Sequence, residues 1–223
     1  IPLVVTGGLE TVGLRVPSHP VALELLRMFG GVIAAPSANR YGSVSPTRAE
    51  HVRQDLGGRV DFILDGGPCE VGVESTIVDL SSDEPAILRP GGVTREQLGH
   101  VFGRPMPLRH GGLVRSPGQH ALHYAPRAEV VVVTPEELPQ RVAALRDRGK
   151  RLVVLCDKRC PMLPPDVPTL LLPESNAELA RVLYDTLREV DAQGFDVAFV
   201  TLPPEEGLGL AIADRLRRAA GPR

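Results

Sequence analysis

The residues of this chain best suited to chemistry are hydroxyls, one amide and a few arginines, gathered in short strings. Ala35-Pro36-Ser37-Ala38-Asn39, followed by Ser45-Pro46-Thr47, carries a short apolar run into a polar loop. Its hydroxyls and backbone N–H groups can wrap an anion or a nucleotide; equally, the string is a capped turn leading into a helix. Val73-Glu74-Ser75-Thr76-Ile77-Val78-Asp79 sets two hydroxyls at a strand start, and taken alone reads more simply as an edge strand. Leu88-Arg89-Pro90-Gly91 puts a guanidinium at a strand end, where the simpler reading is a solvated charge. Arg15 alternates in phase with Gly13, opposite Val12, Leu14 and Val16, so it is a binding group or a surface charge on a strand.

Generic catalytic signatures are absent: there is no P-loop, no G-x-G-x-x-G, no zincin pair and no nucleophile elbow. Gly207-Leu208-Gly209 ahead of the last helical stretch has the look of a phosphate loop, but two glycines shaping a turn is the simpler reading. The chain has 3 cysteines, an odd and sparse number that does not suggest a disulfide framework. Cys156 and Cys160 lack a nearby His or second Cys pair to complete a zinc site, so no metal ligand is assigned.

These strings must be held by regular elements. Apolar spacing predicts strands at Thr11–Val16, Val32–Ala35, Val60–Leu64, Thr76–Leu80 and Ala86–Leu88. Helices are expected over Val21–Phe29, Thr47–Leu56 and Arg95–Phe102, the last opened by a Thr94/Gln97 capping box. Residues 103–126 show no sustained periodicity and read as a linker or an active-site cover. Beyond them strands and helices alternate: strands at Glu129–Val133, Leu152–Cys156, Thr169–Leu172 and Val197–Thr201, helices at Pro135–Arg148, Asn176–Val190 and Leu208–Ala219. That alternation implies βαβ units and a small parallel, Rossmann-like sheet.

Composition narrows the classes. The net charge is −2 and aromatics are 4% of 223 residues. There is thus no basic field for nucleic acid and few platforms for stacking bases. No apolar run approaches the length of a membrane span, and a cytoplasmic protein without membrane partners is expected.

Taken together and in order, Thr11-Val12-Gly13-Leu14-Arg15-Val16-Pro17, the Pro-Ser-Ala-Asn loop, Ser45-Pro46-Thr47, Val73–Asp79 and Ile87–Gly91 resemble the YrdC-like threonylcarbamoyl-AMP synthases. Ser116-Pro117-Gly118 and His123-Tyr124-Ala125-Pro126 look like the interdomain linker of the longer members. The resemblance implies an α/β chain in three parts. Residues 1–103 would be the C-terminal portion of a YrdC-like twisted mixed sheet with helices, 104–127 a linker, and 128–223 a Rossmann-like domain. Nothing before Thr11 matches the family's Lys/Arg-bearing motif for ATP phosphates. The resemblance therefore implies that an N-terminal portion of the catalytic domain is missing, and the chain by itself is expected to be weakly active or inactive.

The family joins L-threonine, bicarbonate or CO₂, and ATP, giving threonylcarbamoyl-AMP and pyrophosphate. A separate tRNA threonylcarbamoyl transferase system consumes the product. By resemblance, Arg15, Ala35 and Ser75 would bind threonine, and Thr11, Ser37, Asn39, Ser45 and Arg89 would bind ATP. The linker residues Ser116, His123 and Tyr124 would close over the nucleotide. No residue is assigned as a catalytic nucleophile. Mg²⁺ is expected with ATP, and no tightly bound cofactor. The alternative from another class is a non-catalytic RNA-binding module of the same fold, with weak RNA contact. A carbamoyl-adenylate-forming maturation factor fits less well, because acylphosphatase and zinc segments are lacking.

Overall fold

The computed structural model describes residues 1–109, 123–146, 148–158, 160 and 163–222; most of the expected linker, including Ser116, lies outside them. Helices α1 (Leu3–Thr6), α2 (Pro20–Phe29) and α3 (Ala49–Leu56) come first, α3 running on into a 3-10 turn at Gly57–Arg59. The hairpin β1 (Ile77–Asp79) and β2 (Ala86–Arg89) and helix α4 (Arg95–Phe102) follow. The remainder is β3 (Glu129–Val132), α5 (Leu138–Arg146), β4 (Leu152–Cys156), β5 (Thr169–Leu171), α6 (Asn176–Ala192), β6 (Val197–Val200) and α7 (Leu208–Ala219).

Helix ends follow local chemistry. Pro20 opens α2, and Gly30 closes it in the left-handed conformation at φ 71°. At α4 the Gln97 backbone N–H donates to the Thr94 hydroxyl, and the Thr94 N–H donates to the Gln97 side chain at 2.8 Å. Thr134 and Glu137 exchange the same two bonds before α5. They close a turn of their own, so the regular helix begins at Leu138 rather than at the expected Pro135.

The four later strands form a parallel sheet in the order β3-β6-β4-β5. A parallel sheet must be covered on both faces, and period-two alternation along β4 supplies both. Val153 and Leu155 pack with α6 and α7 through Leu183, Leu187, Ile212 and Leu216. Leu152, Val154 and Cys156 pack on the other face with Leu138 and Val142 of α5. Each such side chain contributes roughly 1.5–3 kcal/mol on burial, so this half carries the main core. Val44 and Val73 from the earlier half join the α6–α7 face of that core.

Three expected strands are not paired. Residues 11–16, 32–35 and 60–64 have no ladder partner among the described residues. Leu14, Val16, Val32 and Phe62 are therefore left in water, Val16 at 92% exposure. An alternating pattern supplies the face of a strand but not the neighbour whose N–H and C=O groups must complete it. The cysteines also depart from expectation, for Cys156 at the end of β4 forms a disulfide with Cys160. A sparse count says nothing about one local pair whose Cα atoms stand 5.6 Å apart, inside the range a disulfide spans.

Candidate substrate-binding site

The β1–β2 hairpin brings two of the chemically promising strings together. Ile77 lies opposite Arg89 in the antiparallel register, which sets the Arg89 side chain beside the chain preceding β1. Its Nε and Nη2 both donate to the Ser75 carbonyl, at 3.2 and 2.8 Å. Arg89 is only 4% exposed, so the solvated-charge reading does not hold. Gly92 N–H donates to the Glu74 carbonyl at 2.9 Å, and a Cβ on Gly91 would overlap that same carbonyl. The two strings therefore touch backbone to backbone, and only glycine fits where they meet.

Glu74, which sequence reasoning passed over, is the centre of the cluster. Its carboxylate accepts from the Ser45 hydroxyl at 2.7 Å, from the Tyr184 hydroxyl at 2.9 Å and from Arg215 Nε at 2.7 Å. Burial alone would raise its pKa, but the Arg215 charge, the Ser45 hydrogen bond and the nearby Arg89 together hold it below the ordinary carboxylate value. Burial, followed by the Glu74 charge, pushes the Tyr184 hydroxyl well above its usual range. Tyr184 is therefore the donor in its contact. Tyr184 and Arg215 belong to α6 and α7, so the later half of the chain completes a cluster begun by the earlier half.

Further contacts close the same seam. Arg188 of α6 pairs with Asp55 at 2.6 Å and donates to the Val44 carbonyl at 2.6 Å. Asp185 accepts from the Thr47 hydroxyl and pairs with Arg48. Gly72, at φ 85°, lies so close to α6 that a Cβ would overlap the Ala180 carbonyl. His51 accepts the Thr47 backbone N–H at Nδ1, and its pKa falls from 6.5 to about 4. Burial is the largest cause, followed by the Arg188 and Arg48 charges.

The other sequence-derived residues are placed differently. Thr11, Arg15, Ala35 and Ser37 are exposed. Asn39 turns inward and donates to the carbonyls of Arg40 and Ser43 at 2.8 and 3.1 Å, fixing the loop on which Ser45 sits. Tyr124 is 1% exposed and adopts φ 59°, the only positive φ of a non-glycine residue among those described. Its ring lies under the Arg215 guanidinium at 5.0 Å and against Tyr184 at 5.7 Å. Burial pushes its hydroxyl pKa up, opposed by the charges of Arg215 and Arg89. That hydroxyl makes no hydrogen bond of normal geometry among the described residues, although Arg89 is near enough to act on it. His123 packs edge-on against Tyr124, and its backbone N–H donates to the Arg218 carbonyl.

Arg215 and Tyr184 did leave a trace in the sequence. Arg215 falls on the helical stripe of Ala211, Ile212, Leu216 and Ala219, and Tyr184 on that of Leu183, Leu187 and Val190. A charge or a phenol on a core-facing stripe calls for a buried partner, but neither position reveals which one.

The site is thus a set of backbone loops braced by hydroxyls, guanidinium groups and one buried carboxylate, with no nucleophile–base pair among the described residues. Such a set suits binding and alignment rather than covalent catalysis. Comparison with known proteins agrees with this class. The family model described as "Telomere recombination" (Sua5/YciO/YrdC) matches residues 1–91, and "Threonylcarbamoyl-AMP synthase, C-terminal domain" matches residues 93–221. Threonylcarbamoyl-AMP synthase of Pyrococcus abyssi is 40% identical over 100% of this chain and 68% of its own length. That of Bacillus subtilis is 42% identical over 98% and 66%. The crystal structure of P. abyssi Sua5 complexed with L-threonine superposes with a TM-score of 0.89 at 38% identity, covering 99% of this chain and 67% of that one. The chain belongs to the threonylcarbamoyl-AMP synthase family, in the form that carries the additional C-terminal domain. It spans about two thirds of the length of these relatives.

Proposed function

We propose that this chain serves the synthesis of threonylcarbamoyl-AMP and pyrophosphate from L-threonine, bicarbonate or CO₂, and ATP. The observation that carries this reading at the level of residues is the double hydrogen bond from Arg89 to the Ser75 carbonyl. It joins the string that resemblance gives to threonine to the string it gives to ATP. Two substrates that must react with each other need adjacent sites, and alignment is worth several orders of magnitude in rate.

The chemistry asks little else of the protein. The threonine amine adds to CO₂ and loses a proton, leaving a carbamate. A carbamate oxygen attacks the α-phosphorus, and the bond to the β-phosphate bridging oxygen breaks to release pyrophosphate. Arg15, exposed on a segment without regular structure, would pair with the threonine carboxylate, with Ser75 and the Ala35 backbone beside it. Thr11, Ser37 and Ser45 would face the nucleotide. Asn39 would act through the loop it braces, and Arg89 through its charge and its hold on Ser75. Tyr124 and His123, packed inward, would act from beneath the site.

Mg²⁺ would arrive with ATP as part of the substrate. Among the described residues no cluster of three His, Cys, Asp or Glu is placed to hold a metal ion. The division at 103 and 128, transfer of the product to a tRNA-modifying system and a cytoplasmic location belong to the same proposal. No helix among the described residues is long and apolar enough to cross a membrane. A purely RNA-binding role is not favoured, since the curated relatives are named as synthases.

The deciding assay is pyrophosphate release from ATP, measured at full natural length with threonine and bicarbonate each omitted in turn. Release that requires both substrates is expected. Release independent of threonine would overturn the reading.

A further inference from the structure

Arg215 is fully buried, at 0% exposure, so no ligand arriving from solvent can reach it. A guanidinium so placed must find its partners inside the protein. Nε donates to Glu74 at 2.7 Å, Nη2 to the Pro90 carbonyl at 3.0 Å and Nη1 to Asp214 at 2.6 Å. Two of these three partners flank the proposed substrate contacts. Glu74 immediately precedes Ser75, and Pro90 immediately follows Arg89.

Arg215 thus bonds to both strings, at the residue next to each end of the Arg89–Ser75 link. Through Glu74 it also reaches Ser45, whose hydroxyl proton is directed at that carboxylate. Tyr184 holds both carboxylate oxygens from α6 at 2.9 Å. Without these two residues the Glu74 carboxylate would keep one described hydrogen-bond donor, Ser45, and lose the guanidinium paired directly with it.

We propose that Arg215, assisted by Tyr184, is a positioning residue for the substrate site: from the C-terminal half it fixes Glu74 and Pro90, and with them Ser45, Ser75 and Arg89. Affinity for both threonine and ATP then depends on a side chain that touches neither. This inference rests on the synthase reading above.

Lys in place of Arg215 keeps the charge but cannot form the three-way fork. Losing charge-assisted hydrogen bonds predicts that Arg215→Lys weakens both ligands by about tenfold or more. The measurement is calorimetric titration with threonine and with ATP, in the protein at full natural length and well below its melting temperature. Tyr184→Phe keeps the ring, removes one donor and should weaken both ligands by a smaller factor. It carries the test if Arg215→Lys fails to fold. Leu187→Ala controls for stability, because Leu187 is buried in α6 among apolar neighbours. It should lower the melting temperature while leaving both affinities unchanged.

Affinities preserved within about twofold in a folded Arg215→Lys or Tyr184→Phe protein would overturn the inference. So would a Leu187→Ala protein that lost affinity in parallel with its stability. A wild-type protein that bound neither ligand would sink the synthase reading, and this inference with it.

Discussion

Gly91 lies flat against the carbonyl of Glu74, so close that a side chain on Gly91 would overlap the oxygen. The neighbouring Gly92 N–H donates to that same carbonyl at 2.9 Å. The contact is between two backbones, and neither can rotate out of the way. Gly91→Ala should therefore force the strings apart and cost roughly 1–3 kcal/mol or more, as overpacking does. Urea denaturation reads the loss as a lowered midpoint, and threonine binding should fall with it. An unchanged midpoint would show that the strings do not meet as described.

His51 gives the fold a pH dependence with a definite sign. The unfolded residue takes up a proton near pH 6.5, the folded residue only near 4. Between those values the unfolded state binds more protons, so acid favours unfolding. The stabilisation from this group is complete above pH 6.5 and lost as pH falls to about 4. His51→Asn can offer an acceptor to the Thr47 N–H without titrating in this range. Its melting temperature should decline less steeply than that of wild type across that window. Parallel curves for the two proteins would exclude His51 as the source.

Arg188 and Asp55 tie α6 to α3, with side-chain exposures of 16% and 15%. Arg188→Met removes the ion pair and strands both Asp55 and the Val44 carbonyl. Breaking a half-buried pair on one side costs less than the ~3–5 kcal/mol of a fully buried one and more than the ~1 kcal/mol or less of a surface pair, so about 1–3 kcal/mol is expected. Chemical denaturation of Arg188→Met should show a loss of this order. The double variant Arg188→Met, Asp55→Leu should recover part of it, because no uncompensated charge then remains. A double variant worse than the single would argue against a pair screened from water.

Arg15 and Arg89 should separate by ligand. Arg15→Lys replaces a planar fork with a point charge and should weaken threonine by about tenfold to a hundredfold while sparing ATP. Arg89 bonds to the Ser75 carbonyl from a buried position, so Arg89→Lys should weaken threonine as well as ATP. Titration of each variant with each ligand decides. A loss of ATP affinity alone in Arg15→Lys would reverse the assignment.

Much of the architecture was readable from the sequence because its causes are local. The α4 box needs only Thr94 and Gln97 three residues apart. The buried strand β4 needs a run of apolar residues, and the stripes of α6 and α7 need helical spacing, so these elements lie where the pattern sets them. The ordered strings also sufficed to indicate the family. Pairing was not readable in this way. Residues 11–16 alternate as a strand should, yet no described segment supplies their ladder. Nor could the sequence reveal that Glu74, Tyr184 and Arg215 converge. They are separated by 110 and 141 residues along the chain, and no periodicity spans such distances. Only the packing of α6 and α7 against the segments that flank the hairpin, at Glu74 and Pro90, decides that a buried guanidinium and a buried phenol share one carboxylate. The physical reason is that a local pattern fixes which face of an element is buried, whereas the partner of a buried charge is fixed by what tertiary packing brings to that face.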